Sequence, residues 1–290
     1  MPLALQRSKD TLVRDARNAF TLQRNATGGE RYGVPGQGRS GAISVLAVTS
    51  LLLAWWTTAE LQLVAPLFLP HPFSVLDKFF VVASEDVSGS DLLGHTVASL
   101  SRILAAFVLA CITGIPIGLA MGVNRLVCGV LDPPIEFYRP IPPLAYLPLI
   151  IIWFGIGEGA KVVLIYLAVF APIAMNARAG VRSVSADRIH AAYSLGASRA
   201  QVFWQVILRG ALPEILTGMR IGIGFGWTTL VAAEMVAATV GLGHMVLDAS
   251  NFLVTDVVVM GIVVIGMIAY ALDLVMRRVE SSLVPWKGKM

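Results

Sequence analysis

A single carboxyl stands inside a long apolar run of the chain: Glu234, within LVAAEMVAAT. An ionised group in hydrocarbon is costly, so such a residue is by default a candidate for a transport role. A second reading stays open. Glu234 falls about 20 residues into its apolar segment, roughly the length that crosses a hydrocarbon core, and there a carboxylate simply reaches the outer interface. Glu158, in a short turn between apolar runs, reads as a solvated charge. Arg139 stands among prolines with Asp132 and Glu136 nearby in sequence, and a structural ion pair with one of them is expected. Tyr138, Trp153 and Phe154 belong to the same proline-rich stretch; Tyr138 and Trp153 join Glu234 as candidates for lining a translocation path, against the plain reading of aromatics as packing.

Nothing here spells enzymatic chemistry. No phosphate-binding loop of the form Gly-x4-Gly-Lys-Ser/Thr occurs. The four His are scattered, and Cys111 and Cys128 lie in or beside one apolar segment as packing residues, without metal-ligand spacing or a disulfide framework. The sequence predicts no catalytic residue, no metal and no cofactor.

The elements that must hold these residues are apolar. Of 290 residues, 56% are hydrophobic and only 14% charged, with a mean hydropathy of +0.75; a soluble domain carries about 25% charged residues. This is the composition of an all-α integral membrane protein embedded in lipid. The net charge of +4 is then assigned to basic loops rather than to nucleic acid. Residues 1–41 form a polar, basic, Gly-rich cytoplasmic tail with no secretory signal. Residues 42–94 hold a first, uncleaved span (42–61), with Trp55 and Trp56 suited to an interfacial belt, and a periplasmic loop with at most one amphipathic turn. Residues 95–278 form the transmembrane core, and 279–290 a cytoplasmic tail.

Within that core the second span, 95–123, carries Gly114, Gly118 and Gly122 at four-residue spacing, one small-residue face for close helix packing; Pro116 is expected to kink it. Residues 130–154 contain six prolines, and the uninterrupted part is too short to cross alone. Broken backbone at membrane depth survives when buried in protein or lining a cavity, which places this segment beside a translocation path. Spans at 161–179, 214–240 and 256–276 complete six transmembrane helices. The fifth carries Gly218, Gly222 and Gly226, again at four-residue spacing. With the N-terminus inside, nineteen of the 22 Lys and Arg fall on the cytoplasmic side and only Lys78, Arg102 and Lys161 outside. The positive-inside rule therefore predicts both termini in the cytoplasm. No Lys or Arg is then placed in mid-membrane, so the path itself is expected to hold no tight anion site.

Between the fourth and fifth spans lies the basic stretch 183–213, SVSADRIHAAYSLGASRAQVFWQVILRGALP. Asp187 can cap a first short helix, Gly196 stops it, and Ser198 with Gln201 fits a capping box for a second, about 199–208. Gly210 and Pro213 are read as breaking that second helix before the fifth span. Ala191-Ala192, three residues, Gly196, nine residues and Val206-Ile207-Leu208 resemble the cytoplasmic loop of ABC importer permeases, whose pattern is Glu-Ala-Ala, three residues, Gly, nine residues, Ile-x-Leu-Pro. His190 stands where that pattern has Glu, and Arg209 where it has Pro. The likeness extends over 45–286: LDPPIEFYRPIPPLAYLPLIIIWFGIGE, SLGASRAQVFWQVIL and GALPEILTGMRIGIGFGW look like the permease subunits of taurine importers, whose relatives carry nitrate, alkanesulfonates or pyrimidine-type precursors.

The resemblance implies a type I ABC importer permease fold in the bacterial inner membrane. It implies a homodimer served by two ATPase subunits and a periplasmic substrate-binding protein, with hydrolysis in the ATPase and not in this chain. His190, Ala191, Ala192, Gly196, Ala197 and Leu208 become the ATPase-coupling loop, and taurine or a close sulfonate the substrate, selected by the binding protein. The same permease type for nitrate, alkanesulfonate or a pyrimidine precursor is the alternative. A stand-alone secondary transporter would need a chain of intramembrane carboxylates, of which only Glu234 qualifies. A membrane scaffold without transport leaves the proline-broken segment unexplained.

Overall fold

A computed structural model describes residues 40–285. The tail 1–39 with its seven Lys and Arg, and Lys287 and Lys289 at the other terminus, lie outside the described residues. The chain divides into two units, one ending at Thr57 and one beginning at Thr58. In the first, α1 (Ser40–Glu60) shows apolar side chains outward: Ile43, Leu46 and Leu51 are all exposed. A helix apolar on every side is one made for lipid.

The second unit begins with α2, Pro72–Ser84, which is 13 residues long. This corrects the expectation of a loop with at most a turn. His71 caps it, its Nδ1 accepting from the Phe73 amide at 3.3 Å. Pro72 occupies the first helical position, where its missing N–H costs nothing, and Val75 and Val82 are buried. α3 (Leu92–Val123) starts at Asp91, whose side chain accepts from the Gly94 amide, and continues unbroken through Pro116. The proline-rich segment is two helices, α4 (Arg125–Tyr138) and α5 (Pro143–Phe154), bent 104° to each other. Then come α6 (Glu158–Ser183) and α7 (Ala186–Ser194). α8 runs Arg199–Ala237, 39 residues, with a π-helical turn at Val202–Ile207. α9 (Leu242–Asn251) fills most of the stretch between the fifth and sixth expected spans, and α10 (Thr255–Leu283) follows. Five of these helices are long and apolar enough to cross a membrane, six if α4 and α5 count as one span.

α6 is the axis of the core: Leu164, Ile165, Val169, Ile173, Ala174 and Ala177 have no exposed surface. A Cβ at Gly114 would meet Ile173 and Phe170, at Gly118 the Ala174 carbonyl, and at Gly122 Val181. On the other flank, Gly218 faces Asn176 and Pro172, Gly222 faces Val169, and Gly226 faces Val169 and Ile103. Ascending glycine numbers meet ascending α6 numbers on α3 and descending ones on α8. α3 therefore runs parallel to α6, and α8 antiparallel. Absent Cβ atoms let these backbones approach closely, so contact area replaces the missing hydrophobic drive between helices in lipid.

Two local expectations fail. Ser185, not Asp187, occupies the N-cap position of α7, and Asp187 lies in its first turn. More consequentially, Gly210 and Pro213 do not break the chain: both lie inside α8. A Cβ at Gly210 would meet Val184 Cγ2 at 2.7 Å, so this glycine admits the α6–α7 connection against α8. Pro213 leaves one carbonyl of the preceding turn without its helical donor, which a helix packed in a bundle tolerates.

Candidate functional site

Three features meet around α6 and α8: an exposed loop, a cavity at mid-length, and a charged cluster at the far end. The loop comprises α7 and the start of α8. α7 ends at Leu195 with Gly196 in the left-handed region (φ +83°). The Gly196 amide donates to the Tyr193 carbonyl at 2.9 Å and the Ala197 amide to the Ala192 carbonyl at 3.1 Å. These are the paired bonds of a Schellman stop, for which glycine has the lowest backbone strain. Ser198 then starts α8: the Gln201 amide donates to Ser198 Oγ at 3.3 Å and the Ser198 amide to Gln201 Oε1 at 2.8 Å. No residue of α7 is buried. His190 and Ala191 are exposed; Ala192, Ala197 and Leu208 are half-buried. Sequence reasoning passed over the apolar residues displayed here: Leu195 is 89% exposed, Trp204 62% and Tyr193 45%. Large apolar side chains are thus displayed on the same loop as exposed basic ones. The signal was available, since Leu195 follows the helical stripe and falls in the turn that ends it.

The cavity, about 410 Å³, lies between the α4–α5 corner and the middle of α6 and α8; Tyr138, Arg139, Tyr146, Asn176 and Phe225 line it. α4 flanks the half of α6 nearest the loop: Asp132 pairs with Arg178, and Arg182 Nη2 donates to Cys128 Sγ at 3.5 Å. α5 flanks the other half, where Leu147 and Ile150 pack with Ala160, Leu164 and Ala233. The corner between them sits against Leu167 and Ala171, and Tyr138 Oη donates to the Leu167 carbonyl at 3.4 Å. Leu167 and Asn176 bracket the centre of the 26-residue α6. Arg139 is therefore at mid-span, not in a loop at the cytoplasmic surface. This corrects the expectation that no Lys or Arg reaches that depth. Prolines 140, 142 and 143 remove the donors that would carry α4 onward, so the chain turns where the helix stops. Asp132 has taken Arg178, and Arg139 has no ion-pair partner among the described residues.

The charged cluster lies where α6 begins and α8 ends. Glu234 is fully buried. It accepts from Ser99 Oγ at 2.8 Å, Arg102 Nη1 at 2.7 Å and the Gly243 amide at 2.9 Å. Arg102 also grips Glu158 bidentately, Nε at 2.5 Å and Nη2 at 2.9 Å, and donates to the Val240 carbonyl at 2.7 Å. Lys161 Nζ reaches Glu158 at 2.7 Å. Arg102 and Lys161, expected outside in water, are 5% and 3% exposed; Glu158, its side chain 62% exposed, is solvated as expected and also tethers both. Two cations and two carboxylates leave the cluster neutral, the condition under which buried charge is tolerated. Ser99 Oγ also accepts from the Leu242 amide at 3.0 Å. His95 Nδ1 accepts from the Gly241 amide at 3.0 Å, so its Nε2–H donates to the Val87 carbonyl at 2.8 Å. The cluster thus fixes the α8–α9 corner. Trp153 stands apart from both, 68% exposed on α5.

Comparison with known proteins agrees on one family. The family model of the binding-protein-dependent transport system inner membrane component matches residues 114–285. The taurine transport system permease protein TauC of Escherichia coli (strain K12) is 57% identical over 253 residues, covering 87% of this chain and 92% of that protein. The putative aliphatic sulfonates transport permease protein SsuC of Bacillus subtilis (strain 168) is 33% identical over 255 residues, covering 88% and 91%. The nitrate import permease protein NrtB of Synechocystis sp. is 32% identical over 226 residues, covering 76% and 82%. Among solved structures, a chain of the MetNI methionine ABC transporter in an inward-facing conformation superposes with a TM-score of 0.58 at 20% identity, covering 66% of this chain and 96% of that one. At that identity the likeness speaks for the fold alone.

Proposed function

The chain belongs to the family of binding-protein-dependent transport system inner membrane components, and from its likeness to a taurine permease within that family we propose that the importer it serves carries taurine. It is the permease subunit of an ABC importer, a multi-pass protein of the bacterial inner membrane with the type I permease fold. It is not an enzyme: ATP hydrolysis belongs to a separate ATPase subunit, and substrate is delivered by a binding protein. The observation that carries taurine is the high identity to a taurine permease along almost all of both chains, far above that to the sulfonate and nitrate permeases.

In this reading two copies form the pathway, with two ATPase subunits beneath them. Both termini and the α7 loop are cytoplasmic, and His190, Ala191, Ala192, Gly196, Ala197 and Leu208 belong to the coupling element. The exposed Tyr193, Leu195 and Trp204 are the side chains that an ATPase cleft would bury. Where the family pattern has an acidic residue this loop has His190, so apolar contact carries the docking. Closure of the ATPase pair displaces α7, and the Schellman stop at Gly196 and the capping box at Ser198 transmit that displacement into α8. A two-state element biased from both ends is what coupling requires.

Reconstitution of the chain with its ATPase and binding protein in proteoliposomes tests the reading. Taurine uptake should require ATP and the binding protein and should exceed uptake of alkanesulfonates and nitrate. Uptake by the permease alone, without ATP, would refute the importer mechanism; preference for nitrate or a longer alkanesulfonate would refute the substrate.

A further inference from the structure

We propose that the mid-span cavity is a weak recognition site for a zwitterionic sulfonate, with Arg139 as its anion-binding group; the inference rests on the taurine reading above and extends it into the membrane. Two observations carry it. First, the other arginines along the helices of the core that face acidic neighbours are spent: Arg102 holds Glu158 and Glu234, Arg178 holds Asp132, and Arg220 holds Asp273. Arg139 is exposed at the corner and pairs with no carboxylate among the described residues. An unpaired charge at this depth is retained where water or a ligand reaches it. Second, the cavity contains no Asp or Glu in its lining, so its field is that of one guanidinium.

The remaining groups suit the other end of such a ligand. Asn176 Nδ2 donates to the Pro172 carbonyl at 2.8 Å, which leaves Oδ1 as an acceptor for an ammonium. The rings of Tyr138, Tyr146 and Phe225 offer faces for a cation. A guanidinium presents several donors in one plane and matches the oxygens of a sulfonate. A cavity of about 410 Å³ is larger than a molecule of seven heavy atoms fills, so water shares the site and screens the contact. The result is binding strong enough to favour a sulfonate anion over a cation and weak enough to release it, while tight selection stays with the external binding protein.

The test uses the assembled permease–ATPase complex without the binding protein and ethanesulfonate as probe, read by saturation-transfer NMR. The wild-type complex should show a transfer signal that taurine competes away. Arg139→Gln should lower it at least fivefold, and Arg139→Lys should keep most of it. Asn176→Asp, which brings a carboxylate into the same cavity, should also lower it and keeps the test open should Arg139→Gln fail to assemble. No signal in the wild type, or equal signals in wild type and Arg139→Gln, overturns the proposal. So does loss of assembly between two copies in Arg139→Gln with an unchanged signal per complex, which would assign the arginine to the interface. A wild-type complex that shows the signal but takes up no taurine once reconstituted with the binding protein and ATP sinks the taurine reading and leaves the anion site standing.

Discussion

Removing the carboxylate of Glu234 should destabilise the chain more than any surface change, and the amount follows from its surroundings. The residue has no exposed surface and receives hydrogen bonds from Ser99, Arg102 and the Gly243 amide. Glu234→Ala leaves a net positive charge among buried groups and an unpaired amide, a loss of about 3–5 kcal/mol. At roughly 2–4 °C per kcal/mol for a chain of a few hundred residues, the thermal midpoint in detergent should fall by roughly 6–20 °C. Glu234→Gln keeps an acceptor for the Gly243 amide but loses the charge, and should cost about 1–3 kcal/mol. The decisive measurement is the double variant Arg102→Met with Glu234→Leu. It removes one charge of each sign and leaves Lys161 with Glu158 at 2.7 Å. Its midpoint should therefore fall by less than the sum of the single changes, with a coupling of about 1–3 kcal/mol. Additive losses, or an unchanged midpoint in Glu234→Ala, would refute the neutral-cluster account.

Three further perturbations follow from the same geometry. Gly196→Val forces a β-branched residue to φ +83°, costing about 1–2 kcal/mol; in proteoliposomes ATP-driven uptake should fall while membrane insertion is unaffected, and full uptake would count against the coupling role. Gly118→Val pushes a side chain onto the Ala174 backbone carbonyl, which no rotamer relieves, so thermal unfolding should show a loss of about 1–3 kcal/mol. Gly266→Ala, with nothing within 4 Å of the added carbon, is its neutral control. Ser198→Ala deletes the capping box, about 1 kcal/mol, and hydrogen exchange of the first-turn amides of α8 should quicken several-fold with no change in α10.

What the sequence makes legible is what short-range rules govern. The stop at Gly196 and the box at Ser198 and Gln201 are local hydrogen-bond patterns, and four-residue glycine spacing marks one face of a helix. The short helices α2 and α9 escaped because each is only partly apolar, held by tertiary contact rather than by periodicity. The reading of Gly210 as a breaker failed for the opposite reason. A glycine carries no sign of whether it frees a backbone or makes room for a neighbour, and here the neighbour is Val184, remote in the pattern that was being read. The charged cluster was hidden by separation: Ser99 and Glu234 lie 135 positions apart, and Arg102 and Glu158 56. Arg139 was misplaced because the charge count set it with Arg125 on the cytoplasmic side, although its stretch was read as broken; the 104° bend is what brings it against the middle of α6.

The continuity of α8 has a mechanical consequence. A helix of 39 residues is about 58 Å long at 1.5 Å per residue, with the capping box at one end and Glu234 near the other. Held about its middle, where Gly218 rests on Asn176 and Pro172, such a rod is a lever of nearly equal arms. A tilt of about 5° swings each end by roughly 2.5 Å in opposite directions, comparable to a hydrogen-bond length. A shift small enough to be lost in the play of a loop at the α7 end is thus sufficient at the far end to strain every bond that Glu234 accepts. The α7 loop and the Glu234 cluster need no relay of side chains to sense each other, because a single rod touches both.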